Sequence, residues 1–126
     1  MYKIFLFQKN NGEVPLLDYL NELSQGGGKD NRIKLKKILE YVRALRQYGT
    51  ALGEPYIKHL EGELWELRPL RGRIVFVAWV DDSYVLLHHF IKKTQKTPVR
   101  EIEQAKRELA ELKERRMVHE LQHDRP

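Results

Sequence analysis

The chain of 126 residues contains no cysteine. That excludes a disulfide framework and any thiolate-ligated metal. It also lacks an apolar run long enough to cross a bilayer. The opening stretch Met1–Lys9 is too short in apolar residues for a signal peptide and reads as a strand, so a cytoplasmic protein with no membrane partner is expected. No G-x-x-x-x-G-K-[ST] loop is present: Gly26-Gly27-Gly28 precedes Lys29 without the spacing or the preceding strand that a phosphate loop needs. There is no nucleophile elbow either, and no cofactor or metal is expected. Acid is missing locally. No Asp or Glu occurs from Leu67 to Val80, nor from Ser83 to Arg100. The whole chain carries 23 Lys and Arg against 18 Asp and Glu, a net charge of +5, which favours an anionic partner.

What is present is periodic. Residues 2–8 are rich in β-branched and aromatic types and predict a strand. Asn10-Asn11-Gly12 predicts a turn, and Glu13 to Ser24 a short helix with Pro15 in its first turn. Lys29 to Tyr48 predicts a longer helix, because Leu35, Ile38, Leu39, Val42 and Leu45 recur at helical spacing and Gly49 is placed to end it. Four short strands follow: 55–60, 64–68, 73–80 and 84–91, joined by tight turns that make neighbours antiparallel. The last two are apolar on both faces, which predicts the middle of a covered sheet. Thr97 and Pro98 predict the start of a C-terminal helix carrying Ile102, Ala105, Leu109 and Leu112 on one face. The fold class expected is α+β, an antiparallel sheet with two N-terminal helices and one C-terminal helix. One domain is expected over 1–116, with a frayed tail over 117–126. That tail contains His119-Glu120-Leu121-Gln122-His123, a match to the H-E-x-x-H zinc signature, read as chance because no third ligand or substrate cleft accompanies it.

The basic residues fall into three sets. Lys29, Arg32, Lys34, Lys36, Lys37, Arg43 and Arg46 lie on the long helix and fit a solvated face. Arg68 and Arg73 flank one turn, with Arg71 at its tip. Opposed strand ends bring side chains together, so the two arginines repel unless an anion lies between them. That anion is either a carboxylate of the chain, such as Glu63 or Glu66, or a bound phosphate, which the guanidinium fork suits. Lys92, Lys93 and Lys96 close the run Leu86-Leu87-His88-His89-Phe90-Ile91-Lys92-Lys93-Thr94-Gln95-Lys96-Thr97-Pro98. His88 and His89 point to opposite faces of their strand. Either histidine reads as a hydrogen-bonded structural residue or as a general acid or base.

The strings Gly62-Glu63-Leu64-Trp65-Glu66-Leu67-Arg68, Gly72-Arg73-Ile74-Val75-Phe76, Phe90-Ile91-Lys92-Lys93-Thr94-Gln95-Lys96-Thr97-Pro98 and Glu101-Ile102-Glu103-Gln104-Ala105 resemble the phage-derived, HigB-like toxins of the RelE/ParE superfamily. The resemblance spans about Met1 to Arg116. It implies the toxin of a type II toxin–antitoxin pair, a ribosome-dependent endonuclease that cuts mRNA without a metal. It also implies a helix-turn-helix, HigA-like antitoxin as partner, with operator DNA reached only through that antitoxin. Carried over residue by residue, it places Arg68, Arg73, Lys93 and, as a substitute acid or base, His88 in the chemistry. Lys92, Lys96, Arg71 and Lys58 fall to RNA binding. His89 stands where the family commonly has glycine, and Leu64 and Glu66 stand where RelE has lysines. The alternatives are a ParE-like gyrase-inhibiting toxin and a basic binding module without chemistry.

Overall fold

The structure, a computed structural model, describes residues 1–122. Its elements run β1 (Lys3–Phe7), α1 (Pro15–Gln25), α2 (Lys29–Tyr48), a 3₁₀ turn (Gly49–Leu52), β2 (Ile57–Glu61), β3 (Leu64–Leu67), β4 (Gly72–Trp79), β5 (Ser83–Ile91), α3 (Val99–Arg115) and β6 (Val118–Glu120). One six-stranded sheet has the order β2-β3-β4-β5-β1-β6. The expected α+β class holds, with both predicted N-terminal helices and the C-terminal helix present. The sheet is antiparallel from β2 to β5 but not throughout, because β1 lies parallel to β5. Among the described residues no helix is long and apolar enough to cross a membrane.

The sheet is covered on both faces, as the two-sided apolar strands require. α1 and α2 bury Leu16, Leu20, Leu23, Ile38, Val42 and Leu45 against Ile4, Leu6, Leu67, Ile74 and Phe76. On the other face α3 places Ala105 and Leu112 over Phe7, Leu64, Val75, Val77, Val85 and Leu87. Lys106 and Lys113 of α3 reach Glu61 and Glu63 at the β2–β3 turn. β4 and β5 pair with one irregularity. Val75 opposes His88 and Phe76 opposes Leu86, leaving Leu87 as an extra residue. This β-bulge changes the parity of everything after it. Leu87 and His88 both face α3, so Phe90 follows them to that face and His89 turns to α1.

Two boundaries differ from expectation. Residues after Met117 do not simply fray: Val118–Glu120 pairs with β1, and Leu121 is buried among the α1–α2 core with its amide donating to the Ile4 carbonyl. His119 therefore sits on a strand, whereas the zinc signature needs a helix; His123 lies outside the described residues. At α3, Pro98 rather than Thr97 holds the cap position, and no side chain caps the helix. The Thr97 hydroxyl is used elsewhere.

Gly49 ends α2 at φ +59°, and a Cβ there would lie 2.7 Å from the Tyr84 hydroxyl and 2.8 Å from the Tyr2 ring. The two rings also pack against each other, with centroids 5.1 Å apart. Gly49→Ala is expected to destabilise the chain by more than about 1 kcal/mol, read as a lower melting temperature.

Candidate functional site

The site is built where β3 ends, β4 begins and β5 runs out. Glu66 lies on β3 opposite Val75 of β4 and Lys58 of β2, so alternation turns it toward the α3 face. It is 1% exposed. Such a carboxylate needs partners. The Thr97 hydroxyl donates to its Oε1 at 2.8 Å. Its Oε2 lies 3.6 Å from Arg68 Nε and 3.8 Å from Arg73 Nε. Of the two sequence-based options for an anion between the arginines, the internal one is realised by Glu66. Glu63 does not take this place, since it pairs with Lys113.

One carboxylate does not satisfy two guanidinium groups. Both Nε contacts are too long for hydrogen bonds, and these buried nitrogens have no hydrogen-bond partner among the described residues. Arg73 is fixed through Nη1, which donates to the carbonyls of Leu70 at 3.0 Å and Gly72 at 2.7 Å. Arg68 makes only a 3.8 Å approach to the exposed Glu54 besides. Burial, then the charge of Arg68, lowers the Arg73 pKa, although a guanidinium remains cationic. Lys92 follows β5 on the same face because of the bulge, and its amide donates to the Arg71 carbonyl. Burial, then Arg73 and Arg68, holds its ammonium below the ordinary lysine range.

Arg71, Arg73, Lys92 and Lys93 line one open cleft of about 400 Å³ together with Leu70, Thr94 and Gln95. Arg68 and Lys58 adjoin it through Glu66. Lys96 lies exposed in the loop before α3 and is not part of the lining. The arrangement is a cationic cleft with unspent donors, suited to a phosphodiester.

His88 does not line the cleft. It is buried beneath α3 with Nδ1 2.6 Å from Glu108 Oε1 and Nε2 3.1 Å from Glu101 Oε1. Both nitrogens can donate to carboxylates only as an imidazolium. Burial alone would lower its pKa; the hydrogen bonds and charges of Glu108, then Glu101, more than offset this and raise it. A general acid or base for the cleft needs a ring nitrogen turned toward it, and both nitrogens are committed. In this geometry His88 fits the structural of its two readings.

His89 faces the opposite side, stacked on Tyr19 with ring centroids 4.2 Å apart. Burial, then the charges of His88 and Lys34, pushes it down to about 4. Gly72 accommodates it, since a Cβ at that position would lie 2.8 Å from His89 Nε2. His59 closes the β2–β3 turn, its Nε2 2.8 Å from the Gly62 carbonyl.

Sequence reasoning weighed Glu66 only as one of two counter-ions and missed Thr97 as its partner. The signal was there: a glutamate alternating with Leu64 on a strand whose every other position is apolar.

No curated protein matches the chain. A family model described as phage-derived protein Gp49-like (DUF891) matches residues 18–110, from within α1 to within α3, and takes in every residue of the cationic cleft. The chain belongs to this Gp49-like phage-derived family, a family of RelE/HigB-like toxins.

Proposed function

We propose that the chain is the toxin of a type II toxin–antitoxin pair and acts as a ribosome-dependent, metal-independent mRNA endonuclease. The observation that carries this reading is the convergence of Arg71, Arg73, Lys92 and Lys93 on one open cleft, with Arg68 held beside Arg73 by the buried Glu66. In the reaction a ribose 2′-oxygen attacks its own 3′ phosphorus, and the bond to the next nucleotide's 5′-oxygen breaks. The 2′-hydroxyl loses a proton and the 5′-oxygen gains one. Negative charge peaks on the phosphorane between these events. Arg73 and Arg68 stabilise that charge; removing one such donor typically lowers the rate by about 10²–10³-fold. Lys92 and Lys93 are the nearest groups able to carry protons. A lysine held below its usual range gives up its proton more readily. Arg71, Lys96 and Lys58 hold the backbone on either side. Glu66 touches no substrate in this scheme; it keeps the two guanidinium groups together.

The partner that silences this activity is a helix-turn-helix, HigA-like antitoxin. Expression of the chain alone, with mapping of mRNA ends, tests the activity. Cuts within translated messages that vanish when translation is blocked are the expected outcome. Growth arrest with intact mRNA and DNA-damage signalling overturns it in favour of a gyrase-directed toxin.

A further inference from the structure

The order Thr97-Pro98 sets a hydroxyl beside the start of α3, but Pro98 holds the cap position and the helix takes no side-chain cap. The Thr97 hydroxyl crosses instead to β3 and donates to Glu66 Oε1 at 2.8 Å, joining residues 31 apart in sequence. Glu66 is 1% exposed, so the partners of its two oxygens decide how it sits. The torsion that turns a carboxylate is broad and has no sharp minimum of its own. Among the described residues the Thr97 hydroxyl supplies the hydrogen bond that sets it, since Arg68 Nε and Arg73 Nε stand at 3.6 Å and 3.8 Å. With Oε1 turned to Thr97, Oε2 is turned to both guanidinium groups.

The same contact closes the loop that carries the lysines. At its start the Lys92 amide donates to the Arg71 carbonyl. Within it the Thr94 hydroxyl donates to the Lys96 carbonyl at 2.7 Å. At its end Thr97 is tied to Glu66. One tie goes to the β3–β4 turn and the other to β3. Lys92, Lys93, Thr94 and Gln95 line the cleft between those ties.

We infer that Thr97 is a positioning residue: its hydroxyl orients Glu66, Glu66 aligns Arg68 and Arg73, and the tie sets the lysine loop against that pair. Thr97 itself touches no substrate. Its part in cleavage rests on the nuclease reading; its orientation of the arginines does not. A hydroxyl that merely satisfies a buried carboxylate would act on stability and leave the rate alone. Positioning acts on the rate, because the arginines meet their full charge only in the transition state.

Two substitutions at this half-buried loop position separate the roles. Thr97→Val keeps the branched shape and removes the hydroxyl; Thr97→Ser keeps the hydroxyl. In nitrogen–proton NMR spectra of the full chain, Thr97→Val is expected to shift the Nε–H signals of Arg68 and Arg73, and Thr97→Ser to leave them near the parent's. In single-turnover cleavage of mRNA on programmed ribosomes, Thr97→Val is expected to lower the saturating rate by about tenfold. The half-saturating concentration of the chain should stay within about twofold. Thr97→Ser should recover most of the rate. Glu66→Gln is the second variant. Its amide oxygen can still accept from Thr97 while its amino group opposes the arginines, donor against donor, so at least the same loss of rate is expected. Unshifted arginine signals in Thr97→Val overturn the proposal. So does a rate that Thr97→Ser fails to restore, a full rate in Glu66→Gln, or a loss that falls on affinity with the rate intact. A parent chain that cuts no mRNA would instead remove the nuclease reading and leave the arginine signals to decide the link.

Discussion

Arg73→Ala is expected to lower RNA cleavage by about 10²–10³-fold and to relieve growth arrest, with the chain still folded. The side chain is buried, yet among the described residues its hydrogen bonds go only to the carbonyls of its own turn, and its Nε finds none. It is thus held in place more than it holds anything. Arg68 remains beside Glu66 after the substitution, so that carboxylate keeps a cation and the Thr97 hydroxyl. The expected loss of stability is ordinary for a point change, about 1–2 kcal/mol. Arg73→Lys should recover little activity, because an ammonium cannot reproduce the two-pronged donation of a guanidinium. Cleavage rate, growth and a urea unfolding curve on the same variant decide the matter. Full toxicity from a folded Arg73→Ala chain would take Arg73 out of the site.

His88→Ala should act oppositely, on the fold rather than on the chemistry. It leaves Glu101 and Glu108, 14% and 13% exposed, facing each other with no cation between them. Breaking a buried ion pair in this way costs about 3–5 kcal/mol. Chemical denaturation measures it, and an unchanged midpoint would show that the His88 triad does not help to hold α3. The same triad sets a pH dependence. The folded His88 pKa lies above the unfolded value of about 6.5. Its contribution is therefore complete below that pH and is lost as the pH rises through the folded value. His89 runs the other way. Its folded value of about 4 is depressed, so its contribution is present above about 6.5 and fades as the pH falls toward 4. Stability should peak near pH 6.5 and decline on both sides. His88→Gln should flatten the alkaline limb, and His89→Gln the acid limb.

Much of this architecture is legible in the residues. The Ile38, Val42 and Leu45 stripe and Gly49 define α2 at its observed bounds, and turn chemistry gives the β2–β5 meander. Arg68 and Arg73 are recognisable as a convergent pair because both flank one short turn. What is hidden depends on long-range pairing or on a single inserted residue. Nothing local says that β1 lies beside β5, or that Val118–Glu120 adds a strand beyond it. The bulge at Leu87 is the more consequential case. Strict alternation after Leu87 would carry His88 to the α1 face and Lys92 away from Arg73; the extra residue reverses both. Neither leucine of Leu86-Leu87 marks where that slip occurs. The role of Glu66 is hidden for a related reason: an acidic residue on a strand reads as exposed until the opposing strand and Thr97 close over it.

The parallel pairing of β1 with β5 bears on how the protein is made. Ile4-Phe5-Leu6-Phe7 leaves the ribosome early, but the strand it needs is residues 83–91. In between, the β2–β5 meander can assemble from neighbours in sequence, while β1 waits with its apolar side chains and its backbone groups unpaired. Strands in that condition are the ones that associate with other chains. The meander that carries the cationic cleft is thus the part able to form first, and closure of the sheet by β1 is the late, topologically slow step.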